Sequence, residues 1–129
     1  MGLVLLIDVV CDTSFLIQIA TKRITNIHNL DLEIGPIQFI VPNVVIAELN
    51  KLRNNVKKHK MAISTLHFAK TLKLVYMAGK ENDLVDDIIF SNIKCNGGIT
   101  ATLDTELKKR IKKIGGTIMS LSNNKIILE

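Results

Sequence analysis

The chain has 129 residues, of which 47% are hydrophobic and 22% charged, so it suits one domain over residues 1–129 and not a disordered chain. Aromatic residues make up only 4% and tryptophan is absent, so the core must consist mainly of Ile, Leu and Val. The 17 Lys and Arg residues against 12 Asp and Glu give a net charge of +5, which favours polyanionic partners without specifying one.

Apolar runs and helix-start signals predict alternating strands and helices in the first half of the chain. The run that ends at Cys11 is rich in β-formers, and Asp12-Thr13-Ser14 after it is typical of a helix start. The predicted elements are a strand over 3–11, a helix over about 14–29, a strand over 38–41, a helix that begins near 43 and ends in the basic segment 57–60, and a helix over 61–76.

The second half continues this alternation and ends in two strands. Gly115-Gly116 is typical of a helix C-terminus, and Ser122-Asn123-Asn124 is typical of a hairpin turn. The predicted elements are a helix over 83–94, a strand over 99–103, a helix over 105–114, and strands over 117–121 and 125–128. Repeated crossovers from strand to helix to strand favour an α/β fold with a mostly parallel sheet.

Two acids directly follow predicted strands. Asp12 comes after the first strand, and Asp104 comes after the strand that ends at Leu103. In open α/β sheets, ligand and catalytic sites form beyond the carboxyl ends of the strands. Both acids are therefore expected at that edge, although a single Asp after a strand is commonly only a helix cap.

Four further acids lie in early helical turns. Glu48 is six residues past Pro42, and Asp83, Asp86 and Asp87 open the later helix. Asp83 and Asp87 are four residues apart and share a helix face, whereas Asp86 points about 100° away from Asp87. Acids in a first turn usually only interact favourably with the helix dipole, so the ordered set is more informative than any one member.

Several carboxylates gathered in one place would need a cation. Two carboxylates ~5 Å apart repel by roughly 3 kcal/mol at an effective dielectric of ~20, and each raises the pKa of the other. Oxygen-rich sites of this kind suit Mg²⁺ or Mn²⁺, which activate water against a phosphodiester and stabilise the leaving oxygen. The acid set is thus typical of metal-dependent phosphodiester hydrolysis, which needs no nucleophilic Ser or Cys.

All of these acids except Asp83 lie in segments that resemble the PIN-domain nuclease family, and the resemblance covers almost the whole chain. The similar segments are 9–16 (VVCDTSFL), 41–49 (VPNVVIAEL), 85–89 (VDDII) and 99–104 (ITATLD). Residues 106–111 and 118–121 also resemble the rRNA-processing branch that archaea and eukaryotes share. The resemblance implies a three-layer α/β/α sandwich with a central, mostly parallel sheet. It also implies Mg²⁺- or Mn²⁺-dependent endoribonuclease activity.

The resemblance further assigns roles to particular residues. By position, the catalytic acids that hold the metal would be Asp12, Glu48, Asp87 and Asp104. A hydroxyl at Thr102 would support them, and Ser14 would be a second polar helper where many relatives have Asn. The register near 86–87 varies among relatives, and Asp87 is preferred because it shares a face with Asp83. Asp86 and Asp83 are the alternatives.

Basic residues near these acids are candidates for contacts with RNA phosphates. They are Lys51, Arg53, Lys108, Lys109, Arg110 and Lys112. Solvated helix faces and the helix dipole would explain these residues equally well. Aromatic residues are not interleaved with them, so contacts to the RNA backbone rather than to bases are expected.

The leading interpretation is an endoribonuclease that acts on cellular RNA, with pre-rRNA or ribosomal particles as candidate partners. A toxin ribonuclease of a toxin–antitoxin module would use the same chemistry, and a non-catalytic RNA- or ribosome-binding module would keep only the fold. A receiver-like signalling domain fits poorly, because its acidic pair would lie near the start of the chain.

Composition adds two weaker expectations about the protein's state and location. The apolar fraction is consistent with a homodimer. Two cysteines without a CxxC motif favour a reduced, cytoplasmic protein. The apolar segment at the start is interrupted by Asp8 and is too short to span a bilayer, so no membrane association is expected.

Overall fold

A single sheet forms the centre of the computed structural model, which describes residues 5–80 and 82–129. Its six strands lie in the order β3-β2-β1-β4-β5-β6. The strands are β1 (Ile7–Cys11), β2 (Ile37–Pro42), β3 (Lys73–Val75), β4 (Ile99–Ala101), β5 (Thr117–Ser122) and β6 (Lys125–Leu128). Neighbouring strands are parallel except β6, which is antiparallel to β5. The carboxyl ends of β1 to β5 therefore lie at one edge of the sheet.

Helices cover both faces of this sheet. They are α1 (Thr13–Thr21), α2 (Leu30–Glu33), α3 (Asn43–Leu52), α4 (His59–Ala69), α5 (Val85–Asn96) and α6 (Thr105–Lys113). Helices α1, α3 and α4 pack against one another, and α5 packs against α6. The α/β/α sandwich with a mostly parallel sheet that the sequence predicts is confirmed.

Strand β1 lies in the middle of the core, because β2 and β4 pair with its two sides. Val9, Val10 and Cys11 are all buried, as expected for a continuous apolar run in a parallel sheet that is covered on both faces. The register pairs Cys11 with Ala101, and the Asp12 N–H donates to the Ala101 carbonyl at 2.9 Å. Residues 12 and 102 therefore leave the sheet side by side.

The first predicted strand and helix are both longer than the observed elements. Strand β1 begins at Ile7, and residues 3 and 4 of the predicted strand lie outside the described residues. The helix predicted over 14–29 ends at Thr21, and a short 3-10 turn follows at Ile27–Asn29. Between them the buried Asn26 donates to the Ile126 carbonyl at 2.9 Å and accepts from the Ile126 N–H at 2.8 Å. These bonds hold Asn26 against β6, where its backbone angles (φ -111°, ψ 16°) are not those of a continuing α-helix.

The helix predicted over 61–76 is wrong in its second half. Helix α4 ends at Ala69, and Lys73–Val75 forms the edge strand β3. Leu74 pairs with Val41 of β2, so pairing across the sheet overrides the helical spacing of the apolar residues. This strand places the residues after Val75 at the same edge as Asp12 and Asp104.

The final hairpin is confirmed in detail. Strands β5 and β6 pair in antiparallel register from Met119↔Leu128 to Ser122↔Lys125. The two loop residues, Asn123 and Asn124, both have positive φ angles of 52° and 60°. Asn tolerates this left-handed conformation, which a type I′ turn requires at both central positions. Among the helices in the described ranges, none is long and apolar enough to cross a bilayer.

Candidate functional site

Asp12 is a buried carboxylate at the end of β1, only 4% exposed, that also caps α1. Its Oδ1 accepts from the Thr13 N–H at 2.8 Å. Its Oδ2 accepts from the Ser14 hydroxyl at 3.1 Å and from the Thr102 hydroxyl at 2.7 Å. A carboxylate offers about four lone-pair positions, so three donors fix its orientation and leave capacity for one further ligand.

Thr102 connects Asp12 to the second strand-end acid, Asp104. The Thr102 hydroxyl donates to Asp12 and accepts from the Asp104 N–H at 3.0 Å. The Ser14 hydroxyl likewise accepts from the Leu103 N–H at 3.1 Å. The two hydroxyls that the sequence identified as helpers therefore tie the end of β1 to the segment after β4.

Asp104 begins α6 as its N-cap residue. Its Oδ1 accepts from the Leu107 N–H at 2.9 Å, and the residue is half-buried. No group in the described residues donates to its Oδ2. The Oδ1 of Asp104 therefore caps α6, and its Oδ2 is held in a fixed orientation and is available to a ligand.

The sequence preference for Asp87 over Asp86 does not match the geometry. Asp87 is exposed and accepts from Arg110 Nη1 at 2.8 Å, on the outside of α5. Asp86 is half-buried, and the charges of Asp12, Asp104 and Glu48 all act on it. The side chain that α5 contributes to the acid group is thus Asp86, because its neighbour is turned about 100° away along the helix.

Asp83, the other alternative, lies before α5 and is exposed. Its Oδ2 accepts from the Lys80 N–H at 2.8 Å. Glu48 is half-buried on α3, and its charge acts on both Asp12 and Asp86. Electrostatic interactions therefore link Asp12, Glu48, Asp86 and Asp104, which we call the acid group, and they do not include Asp83 or Asp87.

Two members of the acid group have raised pKa values. Burial raises the pKa of Asp12, and the charge of Glu48 adds to this, although the hydrogen bonds from Thr102, Thr13 and Ser14 oppose it. For Asp86, partial burial and then the charges of Asp12, Asp104 and Glu48 raise the pKa to about 6, against a smaller opposing effect of Arg110. The acid group accumulates negative charge that a bound cation would relieve.

The four carboxylates interact electrostatically without closing into a ready-made cage. Over residues 5–80 and 82–129, no three Asp, Glu, His or Cys side chains are grouped tightly enough to enclose a metal ion. Mg²⁺ is usually held by one or two carboxylates and keeps several waters, so a looser set of acids is compatible with it. The Asp104 Oδ2, which accepts no hydrogen bond among the described residues, and the Asp86 carboxylate, whose pKa is raised, are suitable ligands for such a cation.

The basic residues that the sequence singled out divide into two sets. Lys108 is 2.9 Å from a Glu129 oxygen and donates to the Ser120 hydroxyl at 2.8 Å. Arg110 pairs with Asp87 and lies over the Phe90 ring at 4.3 Å, and Lys112 is 3.8 Å from Glu129. These three side chains are engaged by the protein itself.

The other three basic residues are exposed. Lys109 is 72% exposed and makes a loose contact of 3.9 Å with Glu106. Lys51 lines a groove next to Glu48. Arg53 instead borders an apolar cavity of about 540 Å³ between α3, α4 and β3, where Ile63, Leu66 and Leu74 contribute to the lining. Of the six basic residues that the sequence singled out, Lys51 and Lys109 are the two that keep an open ammonium on a helix of the acid group.

Sequence reasoning missed one residue beside the acid group. Tyr76 follows β3, is 80% exposed, and lines the same groove as Glu48 and Lys51. The missed strand β3 explains the omission, since a helix over 61–76 would place Tyr76 elsewhere. The alternation of Leu72, Leu74 and Tyr76 is the signal that could have identified it.

In open α/β sheets, ligand and catalytic sites lie beyond the carboxyl ends of the strands, and the acids of this domain follow those ends. A family model described as PIN like domain matches residues 9–124. The chain therefore belongs to the PIN-like domain family, whose members are generally nucleases. The family that the sequence segments resemble is confirmed.

Solved structures agree with this family. The protein is similar to the PIN domain endonuclease Utp24, with 27% identity, a TM-score of 0.73, and coverage of 95% of this chain and 90% of that chain. A domain of a functionally unknown protein from Methanocaldococcus jannaschii DSM 2661 has 18% identity and a TM-score of 0.61, with coverage of 90% and 91%, and supports the fold alone. Among curated proteins, none matches this chain.

Proposed function

We propose that the protein is a divalent-metal-dependent endoribonuclease whose active site is the acid group Asp12, Glu48, Asp86 and Asp104. The electrostatic interaction of four carboxylates beyond the carboxyl ends of the strands, in a chain of the PIN-like family, supports this proposal most strongly. The similarity to an endonuclease over 95% of the chain favours cleavage within a strand. Segments 106–111 and 118–121 favour a role in processing rRNA.

The acid group would hold Mg²⁺ or Mn²⁺, and either ion would supply activation of water and stabilisation of charge on the phosphate and leaving oxygen. The chain's own contribution is orientation. Thr102 and Ser14 fix the Asp12 carboxylate, and the Leu107 N–H fixes Asp104. Because these bonds exist before substrate binds, little reorganisation is needed during the reaction.

The test is cleavage of a single-stranded or loop-containing RNA, with Mg²⁺, with Mn²⁺ and with EDTA. Cleavage should require one of the two ions. Asp12→Asn and Asp104→Asn should each reduce the rate by at least about 100-fold, which corresponds to about 2.7 kcal/mol of lost transition-state stabilisation. Asn retains an oxygen for both helix caps, so the fold should persist in both variants.

Glu106→Gln is the matched control, because Glu106 is an exposed acid on α6 outside the acid group. It should cleave at the wild-type rate. If both Asn variants cleaved as fast as the control at equal thermal stability, the acid group would not be the active site. If the wild type bound RNA but never cleaved it with either ion, a non-catalytic binding module would replace the nuclease proposal.

A further inference from the structure

A groove of about 620 Å³, which Glu48 helps to line, lies between α3 and residues 76–80 and 82–84. Its lining includes Glu48, Lys51, Tyr76, Lys80 and Asn82. Glu48 belongs to the acid group and also lines the groove, so the groove adjoins the proposed site of cleavage. A chain bound across that site would continue into the groove.

Tyr76 is the exposed aromatic ring of this protein. The chain has one Tyr, four Phe and no Trp, all within the described residues, and each Phe is buried or half-buried. The Tyr76 side chain is 80% exposed, and its hydroxyl has no hydrogen-bond partner in the described ranges. Isolated exposed aromatic residues are common without having a function, so a role for Tyr76 has to be inferred from where it lies.

The backbone on both sides of Tyr76 is anchored. Val75, the residue before it, pairs with Pro42 in the sheet. Met77, the residue after it, is only 4% exposed, and its N–H donates to Asn43 Oδ1 at 2.7 Å. Tyr76 therefore lines the groove from an anchored backbone and not from a free loop, so little backbone entropy is lost when the ring binds a ligand.

Two ammonium groups border the same groove. Lys51 lies three residues after Glu48 on α3, and so on the same helix face, and both Lys51 and Lys80 are exposed. Within residues 5–80 and 82–129 neither forms an ion pair. Among the described residues that line the groove, Glu48 and Asp83 offset the two lysines, so general attraction of phosphate is weak. The aromatic ring is then the main source of affinity.

We propose that this groove binds an unpaired nucleotide next to the cleaved bond, with its base stacked on Tyr76 and its phosphate in contact with Lys51 and Lys80. The inference rests on the proposed nuclease function for the identity of the ligand as RNA. Every base has a π-face, so stacking on one ring discriminates little between sequences. A base within a duplex has no free face, so the groove selects unpaired over double-stranded RNA.

The single tyrosine gives a direct test. With no Trp in the chain, intrinsic fluorescence reports on Tyr76 alone. In EDTA, which removes the ion that the proposed cleavage needs, oligouridylate should lower the tyrosine fluorescence intensity, corrected for absorption by the bases, because a stacked base quenches the ring. Inorganic polyphosphate, which has the charge but no bases, should leave the intensity unchanged. Equal quenching by both probes, or no quenching by oligouridylate, would overturn the proposal.

Variants separate stacking from charge in a binding titration by fluorescence anisotropy with a labelled oligouridylate. Tyr76→Ala should weaken binding by about tenfold or more, as is typical for loss of one stacked base, and Tyr76→Phe should restore it. Leu74→Ala is the matched control. Leu74 is 63% exposed on β3, two residues before Tyr76, but it lines the apolar cavity between α3, α4 and β3 and not the groove. Lys51→Ala and Lys80→Ala should each reduce the slope of log K against log salt by about 0.7.

The two proposals fail separately. If the wild type cleaves RNA with Mg²⁺ or Mn²⁺ but Tyr76→Ala binds and cleaves like Leu74→Ala, the nucleotide subsite is wrong and the nuclease stands. If oligouridylate quenches Tyr76 and Tyr76→Ala weakens binding, but no cleavage occurs with either ion, the subsite stands and the nuclease is wrong.

Discussion

Asp86 and Asp87 are consecutive on α5 but belong to different environments. Asp87 Oδ1 accepts from Arg110 Nη1 at 2.8 Å on the solvent side of the helix. Asp86 is half-buried and experiences the charges of Asp12, Asp104 and Glu48. Because one residue turns an α-helix by about 100°, only one of the two carboxylates can face the carboxyl edge of the sheet.

This difference predicts opposite results for two neighbouring substitutions. Asp86→Asn should reduce metal-dependent RNA cleavage by at least about 100-fold, since it removes a charge that would hold the ion. Asp87→Asn should cleave at close to the wild-type rate and lose only an exposed ion pair, worth about 0–1 kcal/mol. Initial rates at saturating Mn²⁺, with melting temperatures measured in parallel, check both. A strong loss of cleavage in Asp87→Asn, with none in Asp86→Asn, would instead support Asp87, the assignment made from the sequence.

Asp86 also predicts how the metal-free protein responds to pH. The pKa of Asp86 is about 6 in the folded protein and ordinarily 3.8, so the folded state binds this proton more tightly. Ionisation therefore destabilises the fold: the penalty is absent below pH 3.8, grows as pH rises to about 6, and is complete above it. In EDTA, Asp86→Asn should melt higher than the wild type at neutral pH, and this difference should vanish at acidic pH.

The control for the pH effect is Asp87→Asn, which removes a carboxylate from the same helix turn without relieving the acid group. Its melting temperature should not exceed that of the wild type at any pH. Saturating Mg²⁺ should also narrow the gap between Asp86→Asn and the wild type at neutral pH, because the ion neutralises the same charge. If the melting temperatures of Asp86→Asn and the wild type differed by the same amount at every pH, ionisation of Asp86 would not be the cause of the difference.

Thr102 predicts a positioning effect that differs from loss of an acid. Thr102→Val keeps the shape of a fully buried side chain but removes the 2.7 Å bond to Asp12 and the acceptor for the Asp104 N–H. Cleavage should slow in kcat, with little change in KM, because misplaced acids weaken transition-state binding more than RNA binding. The variant should also be less stable by about 1–3 kcal/mol, since the buried Asp12 carboxylate and the partly buried Asp104 N–H each lose a partner.

Thr102→Ser separates these effects, because it restores the hydroxyl and removes only a methyl group. The Ser variant should recover most of the kcat that the Val variant loses. If Ser and Val behaved alike, packing of the Thr102 methyl group, and not its hydrogen bonds, would be what matters at this position.

Local patterns predicted much of the fold and the two strand-end acids. The β1 run is apolar throughout because both of its faces are covered, and Asp12 and Asp104 cap the helices that follow their strands. Two features escaped prediction because they depend on long-range contacts. Strand β3 exists through pairing with β2, and Tyr76 reaches the groove only because of that strand. Asp86 and Asp87 differ only in which side of α5 faces the sheet, and that depends on packing.

Lys108 and Lys109 are adjacent basic residues that the sequence treats alike and the structure does not. Lys108 is 21% exposed and bonds to both Glu129 and Ser120, whereas Lys109 is 72% exposed. Lys108→Ala should lower the free energy of unfolding by about 1 kcal/mol, because it removes the bonds from the ammonium group to the buried Ser120 hydroxyl and to Glu129. Its effect on the salt dependence of RNA binding should be small.

Lys109→Ala should give the reverse pattern. It leaves stability unchanged within about 0.5 kcal/mol, as is usual for exposed sites. If Lys109 contacts a phosphate, the slope of log K against log salt falls by about 0.7 for single-stranded RNA. Chemical denaturation and binding titrations over a range of salt concentrations measure the two quantities on the same samples. A larger salt effect from Lys108→Ala than from Lys109→Ala would mean that RNA displaces Glu129 and that the observed pairing does not survive in the complex.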